Sequence, residues 1–137
     1  MARSPRKGDQ RAARLSVRVD FGAYGALGPG KIRLLEVIDR LGSITTAGRE
    51  MGMSYRRAWL LVDSLNQAFR EPVVEAQRGG KEGGGASLTP FGRELVRRYR
   101  EIESDAADSV AEHLGALEDS LARHPPKMLM TPPKRRG

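Results

Sequence analysis

The chain has 137 residues, a formal net charge of +7 and no cysteine. This length suits one domain with short extensions, and the missing cysteines exclude disulfides, thiolate metal sites and a cysteine nucleophile. The basic balance favours a polyanionic partner such as nucleic acid. Neither an apolar leader nor a run of about 18 apolar residues occurs, so we expect a cytoplasmic chain that does not span a membrane.

The N-terminal residues 1–14 carry five Lys or Arg residues against one acid and show no apolar periodicity. They predict a disordered basic arm, which can lie along DNA or be an ordinary flexible terminus. Apolar and polar side chains then alternate over residues 15–20, which predicts a half-buried strand with a weak partner strand over residues 23–26. Pro29 begins a helix with a broad apolar stripe that ends at Gly42, and this helix is predicted to be the scaffold.

Residues 42–66 predict a helix-turn-helix. Ser43 can cap a first short helix, Gly52 can end it in a left-handed conformation, and Ser54 can cap a second helix. In units of this kind the second helix enters the major groove of DNA.

On a helical wheel the second helix has one apolar side and one side that is free to contact a ligand. The apolar side holds Ala58, Leu61, Val62, Leu65 and Phe69, and the outer side holds Arg56, Leu60, Asp63 and Gln67, with Arg57 and Ser64 on a flank. Cations in the first turn of a helix oppose its macrodipole, and contact with a phosphate or a guanine edge would offset this cost. A solvated basic face is the alternative. The ring of Trp59 is predicted to lie in the core.

A glycine-rich hairpin is predicted after this helix, with strands over residues 73–78 and 86–88 and a tip over residues 79–85. Such a hairpin, or wing, can place Arg78 and Lys81 on the DNA backbone or in the minor groove. The glycines fit neither the P-loop nor the dinucleotide-binding pattern, because the loop returns to a strand instead of opening a helix.

Thr89 and Pro90 predict the start of a long helix over residues 91–123 with one apolar seam. A second copy of the same helix is the simplest partner for this seam, and a helix folded back on its own domain is the alternative. Residues 101–119 contain seven acids and no Lys or Arg, so this part should point away from DNA. Residues 124–137 predict a disordered basic tail.

Residues 42–89, and more loosely 15–102, resemble the DNA-binding domain of the ModE-type molybdate-dependent transcription regulators, which are related to the LysR-type regulators. The matching motifs are GSIT at 42–45, GMSYRRAW at 52–59, Asn66, GGKEGGGA at 79–86 and LTPFG at 88–92. The resemblance implies a winged helix-turn-helix that dimerises through the first strand region and the long helix. It also implies contacts to palindromic operator DNA from Tyr55, Arg56, Arg57, Arg78 and Lys81.

Full-length members of that family bind molybdate in additional β-barrel domains after the long helix. Residues 124–137 offer no stretch for such a barrel, so we do not expect this chain to sense molybdate or another small-molecule effector by itself.

The sequence therefore predicts a mainly α protein with a small β wing, a winged helix-turn-helix over residues 15–90 with a long C-terminal dimerisation helix. We expect a homodimer that binds double-stranded operator DNA and regulates transcription, without a cofactor, a metal or catalytic residues. The predicted DNA-binding residues are Thr45, Thr46, Ser54, Tyr55, Arg56, Arg57, Leu60, Arg78 and Lys81.

Three other classes of function stay open: a non-specific architectural DNA-binding protein, a protein-interaction module, and an oxyanion binder or sensor. An enzyme is the least favoured class. His113 and His124 show no converging carboxylate partner in their spacing, and both are expected to be solvated surface residues.

Overall fold

The computed structural model describes residues 13–77 and 85–127. The described residues form two units. One is Leu15–Asp108, and the other combines residues 13–14 with residues 109–127. The helices are α1 (Pro29–Leu41), α2 (Ile44–Glu50), α3 (Tyr55–Ala68), α4 (Pro90–Ser109) and α5 (Ala111–Asp119), and the strands are β1 (Val19–Asp20), β2 (Ala26–Leu27), β3 (Val74–Gln77) and β4 (Gly85–Leu88). None of the described helices is long and apolar enough to cross a membrane.

A short antiparallel ribbon of β1 and β2 precedes the helices, with Val19 opposite Leu27. Exposure alternates over residues 13–20, as the apolar pattern predicts, but only Val19–Asp20 forms a ladder. The partner strand lies later than the predicted residues 23–26, because Gly22–Tyr24 form a 3-10 turn. Gly25 leaves this turn with a φ of 100°, which favours glycine.

The three helices α1, α2 and α3 enclose the core, and local sequence signals set their ends. Gly42 ends α1 with a φ of 73°, and its N–H donates to the Ile38 carbonyl at 2.7 Å. The Ser43 hydroxyl oxygen accepts from the Thr46 N–H at 3.0 Å, and that of Ser54 accepts from the Arg57 N–H at 3.1 Å. Both predicted N-caps are therefore confirmed.

The β3–β4 hairpin is antiparallel, with Val74 opposite Leu88, and is tied to the helices by a polar side chain. The Asn66 side chain accepts from the backbone N–H groups of Val73 and Val74 at 2.7 and 3.1 Å, and it donates to the Val74 carbonyl at 3.1 Å. The hairpin tip, residues 78–84, lies outside the described residues. Helices α1 to α3 with this hairpin form the predicted winged helix-turn-helix.

Helix α4 packs on the domain through its first three turns. The Thr89 hydroxyl donates to the Pro72 carbonyl at 2.7 Å and accepts from the Gly92 N–H at 2.9 Å, which caps the helix. Tyr99 is fully buried, and its hydroxyl donates to the Val17 carbonyl at 2.6 Å. Beyond Tyr99, α4 contains no buried residue.

The single helix predicted over residues 91–123 is two helices in the structure. Helix α4 ends at Ser109, Val110 has a φ of −111° and a ψ of 14°, and α5 runs only to Asp119. Two causes are visible in the sequence: Ser109 and Val110 have modest helix propensity, and Asp105 and Asp108 place negative charge at the C-terminal end of α4. The apolar repeat depends neither on helix propensity nor on charge. It therefore continues through Val110, although the helix is interrupted there.

An ion pair between Arg100 and Glu36 joins α4 to α1, with nitrogen–oxygen distances of 2.8 and 3.0 Å. The hydrogen bonds from Arg100 lower the pKa of Glu36 below its ordinary range, although partial burial opposes this shift. A carboxylate with a lowered pKa in the folded state stabilises the fold above its ordinary pKa, and this contribution disappears as the pH falls through the lowered value.

We therefore expect Glu36→Gln to reduce the free energy of unfolding at pH 7 by about 1 kcal/mol or less, since both side chains are more than a third exposed. The difference between variant and wild type should close as the pH falls below the ordinary glutamate pKa of about 4.3. Urea unfolding at pH 7 and at pH 3, followed by circular dichroism, measures it. A difference of equal size at both pH values would contradict the assignment.

Candidate nucleic-acid interface

The first turn of α3 presents three consecutive exposed side chains, Tyr55, Arg56 and Arg57. They follow directly on the turn between α2 and α3, where Gly52 has a φ of 73° and Ser54 caps the helix. The same turn of helix directs Ala58 into the core, where it is fully buried. The fold thus fixes which side of α3 faces outward at the end where a DNA-reading helix makes its base contacts.

The outward side continues along α3 as the helical wheel predicts. Leu60, Asp63 and Gln67 are exposed, whereas Val62 and Leu65 are buried. The Gln67 side-chain amide donates to the Asp63 carboxylate at 2.7 Å. Farther along the helix, therefore, the polar groups of the outer face bond to each other.

Trp59 is not in the core, and the prediction that its ring is buried is wrong. Its exposure is 42%, next to Tyr55 at 63% and Leu60 at 54%. The rings of Tyr55 and Trp59 lie 6.1 Å apart with a tilt of 51°. We call Tyr55, Trp59 and Leu60 the apolar patch of α3. Residues four apart share a helix face, so the Tyr55–Trp59 spacing was the sequence signal that could have placed this tryptophan outside.

The arginines of α3 and those of α4 differ in whether they form ion pairs. The α4 arginines form ion pairs, among them Arg97 with Glu94 at 2.7 Å and Arg98 with Glu94 at 2.8 Å. Within residues 13–77 and 85–127, by contrast, no carboxylate pairs with Arg56 or Arg57. The two guanidinium groups of α3 therefore keep their donors and their charge available to an anion.

The hydroxyl groups predicted to position the backbone of DNA lie at the starts of α2 and α3. Thr46 is exposed and Thr45 is half-buried. Ser54 is exposed, and although its oxygen accepts the capping hydrogen bond, its O–H can still donate. A phosphate contact from any of the three remains a prediction.

The two wing residues named from the sequence, Arg78 and Lys81, lie outside the described residues. The described base of the wing is polar, with Glu75 and Gln77 exposed on β3. The Gln77 side chain donates to the Ser87 hydroxyl at 2.7 Å across the hairpin. This cross-strand bond holds the ends of the two strands together where they lead into the tip.

The described part of the chain contains no cluster of three or more His, Asp or Glu side chains that could hold a metal ion. His113 and His124 are both exposed.

Residues 30–93 match the model of the bacterial regulatory helix-turn-helix proteins of the lysR family. The matched segment begins in the first turn of α1 and ends in the first turn of α4, so it contains both helices of the helix-turn-helix and the wing.

Three curated relatives show the same kinship over a longer stretch. The chain is 43% identical over 121 residues to the molybdenum-pterin-binding protein MopB of Rhodobacter capsulatus, which is 88% of this chain and 43% of that protein. It is 42% identical over 108 residues to the molybdenum transport protein ModE of Azotobacter vinelandii, 77% of this chain and 39% of that protein. It is 37% identical over 87 residues to the DNA-binding transcriptional dual regulator ModE of Escherichia coli strain K12, 61% of this chain and 33% of that protein. The chain thus spans less than half the length of each of these relatives.

Proposed function

We propose that the chain binds operator DNA sequence-specifically and regulates transcription in the cytoplasm, because residues 30–93 match the model of the bacterial regulatory helix-turn-helix proteins of the lysR family and the chain is similar to ModE proteins at 42% and 37% identity. The observation that carries this proposal is the exposed pair Arg56 and Arg57 in the first turn of α3, for which the described part of the chain offers no carboxylate partner. We do not propose an enzymatic role, since relatives at 36% and 37% identity are named as transcriptional regulators.

Base reading is the task of α3. Arg56 and Arg57 can each donate two hydrogen bonds to the O6 and N7 atoms of a guanine, a contact that contributes about 1 to 3 kcal/mol of discrimination. The apolar patch of α3 can contact thymine methyl groups in the same groove. One turn and a half of helix would therefore read both polar and apolar base edges.

Backbone positioning falls to residues around α3. The hydroxyls of Thr45, Thr46 and Ser54 can donate to phosphates, and Arg78 and Lys81 of the wing would add cationic contacts. Such contacts set the register of the protein on DNA without reading its sequence. The basic residues 1–14 would add to the same sequence-independent attraction.

A homodimer is the second part of the proposal. Ile102 of α4 is 45% exposed, and Leu117 and Leu121 are 63% and 56% exposed. Helix α5 contains no buried residue. Exposed apolar side chains on α4, on α5 and just after α5 favour association with a second copy, and a two-fold symmetric dimer would bind a palindromic operator.

Selection of random duplex DNA by the purified protein near 150 mM salt, followed by sequencing, tests the proposal. A recovered palindrome with half-sites about one helical turn apart would support a dimeric, operator-reading regulator. Binding without enrichment, which weakens smoothly as salt increases, would instead favour a non-specific architectural protein. Sedimentation of the same preparation measures the dimer independently of DNA.

Oxyanion binding is the second candidate function, because two relatives are named molybdenum-pterin-binding proteins. A ligand that prefers the native state must raise the unfolding temperature. Thermal unfolding with and without molybdate therefore tests this candidate. We place the chain's own function on DNA, since the matched family segment is the helix-turn-helix.

Arg56→Ala should relax the sequence preference of the protein more than it weakens binding to random DNA. The expected loss of discrimination at the affected base is about 1 to 3 kcal/mol, because a bidentate contact to guanine would be removed. Competition between the selected operator and single-base variants measures it. Arg98→Ala on α4 is the matched control and should leave the preference unchanged. An equal loss of affinity for every sequence would refute the reading role of Arg56.

A further inference from the structure

A groove of about 560 Å³ lies beside the first turn of α3, and of the residues with proposed base contacts only Arg57 lines it. Its walls belong to the Leu15–Asp108 unit and come from the strand segment that leads into β1, the start of β2, the start of α1, the turn between α2 and α3, and α3 itself. Its floor is apolar and includes Met51, Met53 and Leu61.

The charged residues that line the groove all have the same sign. They are Arg18, Lys31 and Arg57, and no Asp or Glu belongs to the described lining. The Arg18 side chain is 72% exposed and approaches the Asp20 carboxylate only to 4.0 Å. The Lys31 ammonium donates one hydrogen bond, to the Ala26 carbonyl at 2.7 Å, so two of its three donors can face a ligand. The lining is therefore complementary to an anion.

The start of α1 adds to this positive potential. Its N-cap is Gly28, which has no side chain to accept from the first N–H groups, and Gly28, Gly30 and Lys31 all line the groove. The partial positive charge of a helix N-terminus reinforces the cationic side chains that surround it.

Arg57 connects the groove to the DNA-reading surface. It lies in the first turn of α3, on the flank of the helix that faces the groove. A helix placed in a major groove about 12 Å wide has a phosphate backbone on each side. The backbone on the Arg57 side must therefore run toward Lys31 and Arg18.

We propose that this groove seats the phosphodiester backbone of the operator next to the bases read by α3, with Arg18 and Lys31 as phosphate contacts. The inference rests on the proposed function and extends the DNA contact surface from the helix-turn-helix to the β1–β2 ribbon and the start of α1. The apolar floor suits this occupant, because Met51, Met53 and Leu61 can pack against the deoxyribose rings between successive phosphates.

Arg18→Gln and Lys31→Gln test the proposal, with Arg98→Gln on α4 as the matched control. Each groove variant should bind the selected operator and random duplex about fivefold more weakly near 150 mM salt, and the slope of log affinity against log salt should fall by about 1. The sequence preference and the unfolding temperature should stay unchanged. Ethylation of the phosphates that flank the bases read by α3 should weaken binding of the wild type. The same ethylation should not weaken binding of a variant that carries both Arg18→Gln and Lys31→Gln.

Wild-type affinity and salt slope in both groove variants would overturn this inference while leaving base reading by α3 intact. A variant with altered base preference would also overturn it, since a phosphate contact carries no sequence information. Failure of the proposed function looks different, because the wild-type protein itself would then select no sequence. A third outcome would also overturn the inference. If Arg18→Gln and Lys31→Gln bound DNA normally, and citrate raised the unfolding temperature of the wild type but not of these two variants, the groove would be a site for a small organic anion.

Discussion

Gly92→Ala should destabilise the domain by about 3 kcal/mol, a large share of the 5 to 15 kcal/mol typical of a folded domain. Gly92 lies in the first turn of α4 and is buried against the chain that enters β3. A Cβ atom at this position would lie 2.2 Å from the Val73 carbonyl oxygen and 3.1 Å from its carbon. These neighbours are backbone atoms, so they cannot rotate away as a flexible side chain could.

The clash would also disturb hydrogen bonds. The Val73 carbonyl accepts from the Thr89 N–H at 2.9 Å, and the Val74 N–H of the same peptide group donates to the Asn66 side chain at 3.1 Å. Moving this peptide would loosen α3, the wing and the start of α4 together. Alanine has a higher helix propensity than glycine by about 1 kcal/mol, which offsets only part of the loss.

Gly115→Ala is the matched control, because it makes the same substitution within a helix where the added Cβ would meet no atom within 4 Å. We expect it to be neutral or slightly stabilising. Urea unfolding followed by circular dichroism measures both variants. If Gly92→Ala were as stable as Gly115→Ala, the close packing of α4 on the strand segment would be incorrect.

Signals that act within a few residues predicted much of the fold. Ser43 and Ser54 accept hydrogen bonds from N–H groups three residues later, and Gly42 and Gly52 adopt the left-handed conformation that ends a helix. These features depend on the local backbone, so the residue types alone indicate them. Apart from Trp59, the inner and outer sides of α3 were also predicted correctly, because a helix of fourteen residues has a well-defined periodicity.

Features that depend on a distant partner were harder to predict. The ion pair of Arg100 with Glu36 joins residues 64 positions apart, and no spacing rule indicates it. The interruption at Val110 depends on small differences in helix propensity, which an apolar repeat does not record. For the site, the position of Arg56 and Arg57 on the outer surface followed from the sequence, but their lack of carboxylate partners in the described part of the chain required the structure.

Trp59 shows the limit most clearly. Tryptophan is the largest apolar side chain, and its size alone favoured burial. Its place on the helix is four residues after an exposed tyrosine, and the core beneath α3 is already filled by Ala58, Val62 and Leu65. Position on the helix, and not hydrophobicity, decides which side the ring occupies.

Trp59→Ala should therefore reduce operator affinity by about tenfold to a hundredfold and leave the fold nearly as stable as the wild type. A tryptophan in a core would cost about 3 to 5 kcal/mol of unfolding free energy when truncated, whereas a ring that is 42% exposed should cost much less. In an interface with duplex DNA, the ring would bury apolar surface against base edges and sugars, and the loss of about 1 to 3 kcal/mol from this burial gives the expected drop in affinity.

The two readouts separate the two possible positions of the ring. Operator affinity is measured by fluorescence anisotropy of a labelled duplex, and stability by urea unfolding of the same preparations. Trp59→Phe is the control, because a smaller ring at the same position should recover part of the affinity through the remaining contact with Tyr55. If Trp59→Ala lost much of its stability while its folded fraction bound the operator as tightly as the wild type, Trp59 would be a core residue. The expected result, weaker operator binding with nearly unchanged stability, would make the apolar patch of α3 part of the DNA-reading surface. An arginine pair and an aromatic pair within the first five residues of one helix would then read the operator together.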